Sequence, residues 1–94
     1  MQYVKTVYGP VCGPFDSKIV YYRNIHPSNA IGIKVSIKTV HEGRDVIEYR
    51  THVLQPNPEP HSQLPNAWDV EIGCPVMEFT LQRFHFKVED AWLA

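Results

Sequence analysis

From Ile31 to Val53 the chain alternates apolar and polar residues with a period of two on either side of one short polar break. Ile31, Ile33, Val35, Ile37 and Thr39 interleave with Gly32, Lys34, Ser36 and Lys38, and Ile47, Tyr49, Thr51 and Val53 interleave with Glu48, Arg50 and His52. A period of two puts one apolar face on each of two strands, and a helix cannot gather such a pattern on one side. A long β-hairpin is therefore expected. For the two apolar faces to coincide, paired residue numbers must have an even sum. That excludes a two-residue loop on regular strands and predicts the three-residue loop Glu42-Gly43-Arg44. In this register His41 faces Asp45, Ile37 opposes Tyr49, Ile33 opposes Val53, and Lys38 lies across from Glu48 on the outer face. The usual form of the loop wants glycine at its third position, where Arg44 stands, so a five-residue loop is the alternative.

The rest of the chain reads as further strands separated by turns. Gln2 to Tyr8 is a first strand, stopped by Gly9-Pro10-Val11-Cys12-Gly13-Pro14, and Lys18 to Asn24 is a second, closed by the turn His26-Pro27-Ser28-Asn29. Residues 55–66 carry four prolines, which remove backbone donors and predict an extended surface crossover in place of a helix or central strand. Trp68, Val70 and Ile72 alternate with Asp69 and Glu71, giving a half-buried strand with the tryptophan inside and the two acids in solvent. The last apolar pattern changes phase: Met77, Phe79 and Leu81 are odd-numbered, Phe84, Phe86 and Val88 even-numbered. A β-bulge near Gln82-Arg83, or a corner between sheets, is expected there. The tail Glu89 to Ala94 is too short for an independent helix and is expected either to dock or to meet a partner.

Six or so strands in 94 residues predict a single all-β domain, 1–94, built as a small two-layer β-sandwich with a Greek-key-like connection through the proline-rich crossover. An open, OB-like barrel is the alternative. The longest apolar runs are four residues, far short of the roughly 20 a membrane-spanning helix needs. The N-terminal residues lack the basic start and apolar stretch of a secretory signal, so a cytoplasmic setting is expected, where disulfides are scarce; the sequence leaves open whether Cys12 and Cys74 are bridged.

Catalytic and metal-binding patterns are not found in the sequence. His26, His41, His52, His61 and His85 have no ligand spacing, two cysteines without a Cys-x-x-Cys cannot form a Cys₄ zinc site, and the five glycines are scattered instead of forming a phosphate-binding loop. His41 beside Asp45 reads as a hairpin-end hydrogen bond. No cofactor is expected. Net charge is −1, which argues against a polycation acting on nucleic acid. The outer face of the hairpin carries a basic set, Lys34, Lys38, Arg50 and His52, but in the expected register no aromatic ring, so nucleic acid is an unlikely partner.

Charge is unevenly distributed along the chain. Residues 1 to 55 hold seven Lys/Arg and four acids, net +3, whereas residues 56 to 94 hold two and six, net −4. If the halves form separate faces, the molecule is electrically polar and suited to steer a partner or another copy. The first strand, with only Lys5 as a charge, is expected to be a weakly protected sheet edge. The leading expectation is a small non-catalytic module that associates with itself or another protein through a sheet edge or aromatic surface, with Tyr3, Tyr8, Tyr21, Tyr22 and Trp92 as anchors. A small-ligand or carbohydrate-binding sandwich is the second reading and a single-stranded nucleic-acid binder the third.

Overall fold

A computed structural model describes residues 3–77 and 80–94. Six strands run in order: β1 (Val4–Val11), β2 (Lys18–Asn24), β3 (Ile31–His41), β4 (Arg44–Leu54), β5 (Val70–Gly73) and β6 (Phe84–Leu93). They form two antiparallel three-stranded sheets, β1-β2-β5 and β4-β3-β6, packed as an open sandwich and not a closed barrel. The core lies between them: Val20, Tyr22, Ile31, Ile33, Val35 and Leu54 are buried, and Val4, Ile37, Val70, Ile72, Phe86, Val88 and Ala91 pack around them. The expected crossover joins β4 of one sheet to β5 of the other. The second strand has the expected bounds.

The hairpin register corrects the sequence reading. His41 pairs with Arg44 and Ile33 with His52, so paired numbers sum to 85, an odd value. The loop is the two residues Glu42-Gly43, both at positive φ (50° and 75°). This is the turn whose twist matches that of the flanking strands, and Gly43 makes its second positive φ inexpensive. The turn therefore overrode the coincidence of apolar faces. Odd-numbered β3 residues share a face with even-numbered β4 residues, and Lys34 and Lys38 share the other with Ile47, Tyr49, Thr51 and Val53. Of β4, only Leu54 is buried.

Other expectations moved for local reasons. β1 continues through Gly9-Pro10 to Val11, with a register slip between Tyr8 and Val11. An edge strand tolerates proline there because its missing donor belongs to the unpaired side. The phase change before β6 is a chain reversal: Val76 bridges Arg83, Met77 N–H donates to Gln82 O at 2.8 Å, and Leu81 sits at φ 54°. Phe79 lies outside the described residues. The bulge instead falls at Glu89, between the pairs Lys34–Asp90 and Val35–Val88. The tail docks as the end of β6, with Ala94 N–H donating to Ala30 O.

Cys12 and Cys74 form a disulfide, with Cα atoms 6.0 Å apart and a sequence separation of 62, a pairing the sequence left open. It ties the end of β1 to the segment just after β5, two elements that share a sheet without being neighbours in it.

Candidate binding surface

The outer face of β1-β2-β5 is covered around Arg23 by the chain itself. Arg23, on the face of β2 opposite Tyr22, is fully buried under the crossover and forms a two-point ion pair with Asp69, Nε to Oδ1 and Nη2 to Oδ2 both 2.8 Å. Its Nη1 donates to Ser62 O (2.6 Å) and Pro60 O (3.2 Å), and Nη2 also donates to Ser62 Oγ and Leu64 O. Asn57 and Asn66 exchange amide hydrogen bonds, and Asn57 Nδ2 and Asn66 N–H also donate to Asp69. Burial alone would raise the Asp69 pKa. The Arg23 hydrogen bonds, the Asn66 N–H, the Arg23 charge and Asn57 together outweigh it and hold the carboxyl below its ordinary value, while the hydrogen bond to Asp69 raises Arg23. Among the described residues no buried side-chain nitrogen or oxygen lacks a partner. With both charges satisfied and sealed, the network serves as a clamp on the crossover and offers no reactive group. Asp69 was expected in solvent and Trp68 in the core. The structure reverses them: Asp69 is sealed, and Trp68 is 44% exposed in the turn before β5.

The outer face of β4-β3-β6 has no such cover. Ile47, Tyr49 and Val53 of β4 are each about half exposed on it, and Lys34 Nζ stands 4.7 Å from the centre of the Tyr49 ring. Trp92, paired with Gly32, lays its indole over that glycine, where a Cβ would collide with it, and so extends the apolar surface from Val53 across the sheet. Charges on this face balance. Lys38 pairs with Asp45 at 3.6 Å, Glu89 accepts from Ser36 at 2.8 Å and approaches Lys87, and Asp90 lies across from Lys34. A depression of about 290 Å³ lies between Tyr49, Ile47, Lys38 and Glu89.

The odd register splits the expected basic set. Lys34 and Lys38 share this face with Tyr49, while Arg50 and His52 pair with Val35 and Ile33 on the opposite one. His41 does not face Asp45, which pairs with Lys38, and stands beside Glu42 instead. The expected aromatic anchors are dispersed. Tyr22 is buried and Tyr3 packs edge-on against His26, 4.6 Å between ring centres. Tyr21 donates to Glu71, and burial together with that carboxylate raises its pKa. Tyr8 and Trp92 are exposed. Because each sheet mixes strands from both halves of the chain, the charge asymmetry is interleaved and does not form two poles.

Sequence reasoning missed the Arg23 clamp and the exposure of Tyr49. The signal for the first was a lone arginine at the end of the apolar run Ile19 to Tyr22, and for the second the dipeptide Glu42-Gly43 at the hairpin tip.

The four outer strands differ in how their free edges are protected. β1 carries Pro10 and a register slip, β5 is four residues long, and β6 has the Glu89 bulge. β4 runs eleven residues in unbroken register, without proline or bulge, its protection limited to the charges of Arg44, Asp45, Glu48 and Arg50, and among the described residues it pairs with β3 alone. The first strand is an edge, as expected, and is interrupted by proline and a register slip, whereas β4 offers the longer regular edge. No protein-family model matches this chain, and neither a curated protein nor a solved structure matches it. Among the described residues no three His, Cys, Asp or Glu side chains converge on one point, and no helix is long and apolar enough to cross a membrane.

Proposed function

We propose that this chain is a non-catalytic protein-binding module that accepts a strand of another polypeptide along β4, with Ile47, Tyr49 and Val53 supplying side-chain contacts on the adjoining outer face. The observation that carries the reading is the long, regular β4 edge, free of proline and bulge, beside an exposed apolar stripe. In strand addition the main chain supplies affinity and alternate side chains supply specificity. The balanced charges around Tyr49 favour a protein partner over nucleic acid, whose binding rests on an excess of cations. The Cys12–Cys74 bridge favours an oxidising compartment over the cytoplasmic setting expected from the N-terminus.

The test is a photo-cross-linking residue at Thr51, whose side chain is exposed on the outer face of β4, introduced into the full chain in the cells that produce it. Protein adducts are expected at Thr51, not at the control position Asp16, and should disappear when Tyr49→Pro is added. Absence of any protein adduct at Thr51 would overturn the reading.

A second reading is favoured by one observation. Between the sheets, Tyr8, Tyr22, Phe84 and Phe86 line an open cleft of about 320 Å³, a size that fits a small apolar ligand. Titration with indole should shift the Phe84 and Phe86 ring resonances if the cleft binds aromatics; unmoved resonances would remove this reading.

A further inference from the structure

We infer that the strand received by β4 is β4 of a second copy, the two running antiparallel about a two-fold axis at Tyr49 and joining both β4-β3-β6 sheets into one sheet of six strands. The inference rests on the strand-addition reading and names its partner.

The hairpin turn sets the phase of the free edge. A two-residue turn closes with a hydrogen bond between the residues flanking it, here His41 and Arg44. Hydrogen-bonded pairs then recur at every second residue. Arg44, Val46, Glu48, Arg50, His52 and Leu54 direct their main-chain groups at β3, whereas Asp45, Ile47, Tyr49, Thr51 and Val53 direct theirs outward. A two-fold antiparallel pairing must join these odd-numbered residues to one another, which every register centred on a residue of β4 does.

Charge selects among those registers. Centring on Glu48 or on Arg50 sets that residue against its own copy, and centring on Ile47 sets Arg44 against Arg50; like charges directly opposite are unfavourable. Centring on Tyr49 puts Glu48 of each copy across from Arg50 of the other, in the closer, non-hydrogen-bonded type of pair. Tyr49 is also the midpoint of Arg44–Leu54, so this register alone pairs all eleven residues. Within one chain Arg50 and Glu48 already lie 3.2 Å apart and exposed, and in the pair the four charges form a closed set. On the opposite face the two Tyr49 rings meet at the axis, flanked on each side by Ile47 beside Thr51 of the other copy.

Sedimentation equilibrium tests the inference with the full chain under oxidising conditions. The wild type should reach twice its 10.9 kDa at high concentration. Glu48→Arg should weaken association at least about tenfold by turning two attractive pairs repulsive, and Glu48→Arg with Arg50→Glu should restore it. Tyr49→Pro should give a monomer that keeps the wild-type circular dichroism, because the lost N–H points away from β3. The charge exchange decides the matter should Tyr49→Pro fail to fold. A wild type that stays monomeric at millimolar concentration, or a dimer indifferent to Glu48→Arg, would overturn the second copy as partner. If Thr51 then still cross-links to a different protein, strand addition stands and only the partner is wrong; if it cross-links to none, both fall.

Discussion

The two sheets have outer faces of opposite character. On β1-β2-β5 the outer face holds a buried arginine under fifteen residues of the chain's own crossover, Gln55 to Asp69, while on β4-β3-β6 half-exposed isoleucine, tyrosine and valine stand open to solvent. The polar side chain is inside and the apolar ones are outside, against the ordinary ordering. The clamp accounts for the first. Six hydrogen bonds donated by Arg23 satisfy every guanidinium nitrogen, so its burial leaves nothing unpaired. The turn accounts for the second, because an odd register carries β4's apolar residues outward whatever their preference. A covered face and a bare one thus arise from two local features, one arginine and one dipeptide.

The largest expected effect comes from unseating the cover. Arg23→Leu leaves the Asp69 carboxylate buried without its cation and should cost about 3–5 kcal/mol in urea unfolding. A loss under about 1 kcal/mol would mean that the crossover holds without its clamp. Removing the bridge as Cys12→Ser with Cys74→Ser releases a 62-residue loop, with an expected loss of about 2–4 kcal/mol measured the same way.

Acid should act through the same clamp. Because the folded-state pKa of Asp69 is depressed below its ordinary 3.8, its contribution is present in full above that value and is lost as pH falls through the folded-state value. Melting temperature should therefore drop as pH is lowered past about 4, and Asp69→Asn, less stable at neutral pH, should show a shallower drop. Parallel acid profiles would place the sensitivity elsewhere. The smallest effect is expected on the bare face: Ile47→Thr, studied at low protein concentration, should change stability by no more than about 0.5 kcal/mol, whereas Ile33→Ala in the core should cost about 2–5 kcal/mol. A costly Ile47→Thr would show that its face is not bare in solution.

Legibility in the sequence followed the range of the interactions. The second strand, the His26–Asn29 turn and the proline-rich crossover were readable because each depends on neighbours in the chain. His26 Nδ1 accepts the Ser28 and Asn29 N–H groups, and prolines 56, 58 and 60 exclude helix whatever lies around them. Asp69 was misread because its phase beside Glu71 is that of a solvent face, and only Arg23, 46 residues earlier, makes it an interior residue. Trp68 was misread for the complementary reason, lying two residues before the start of β5. Of the proposed binding surface, Trp92 was visible as a candidate. Tyr49 was not, because apolar faces were assumed to coincide and the Glu42-Gly43 turn was given less weight than burial.

What the residues determined unaided is the all-β class, the sandwich, the His26–Asn29 turn and the extended proline-rich crossover. These follow from side-chain period, β-branching and proline, which act within a few residues and need no partner. Tertiary structure alone decided which face each strand turns inward, that Arg23 would be sealed by Asp69, that Cys12 would meet Cys74, and that β4 would be left as an open edge. Each of those depends on distant segments meeting in space, where a one-residue change of register exchanges interior for surface along a whole strand.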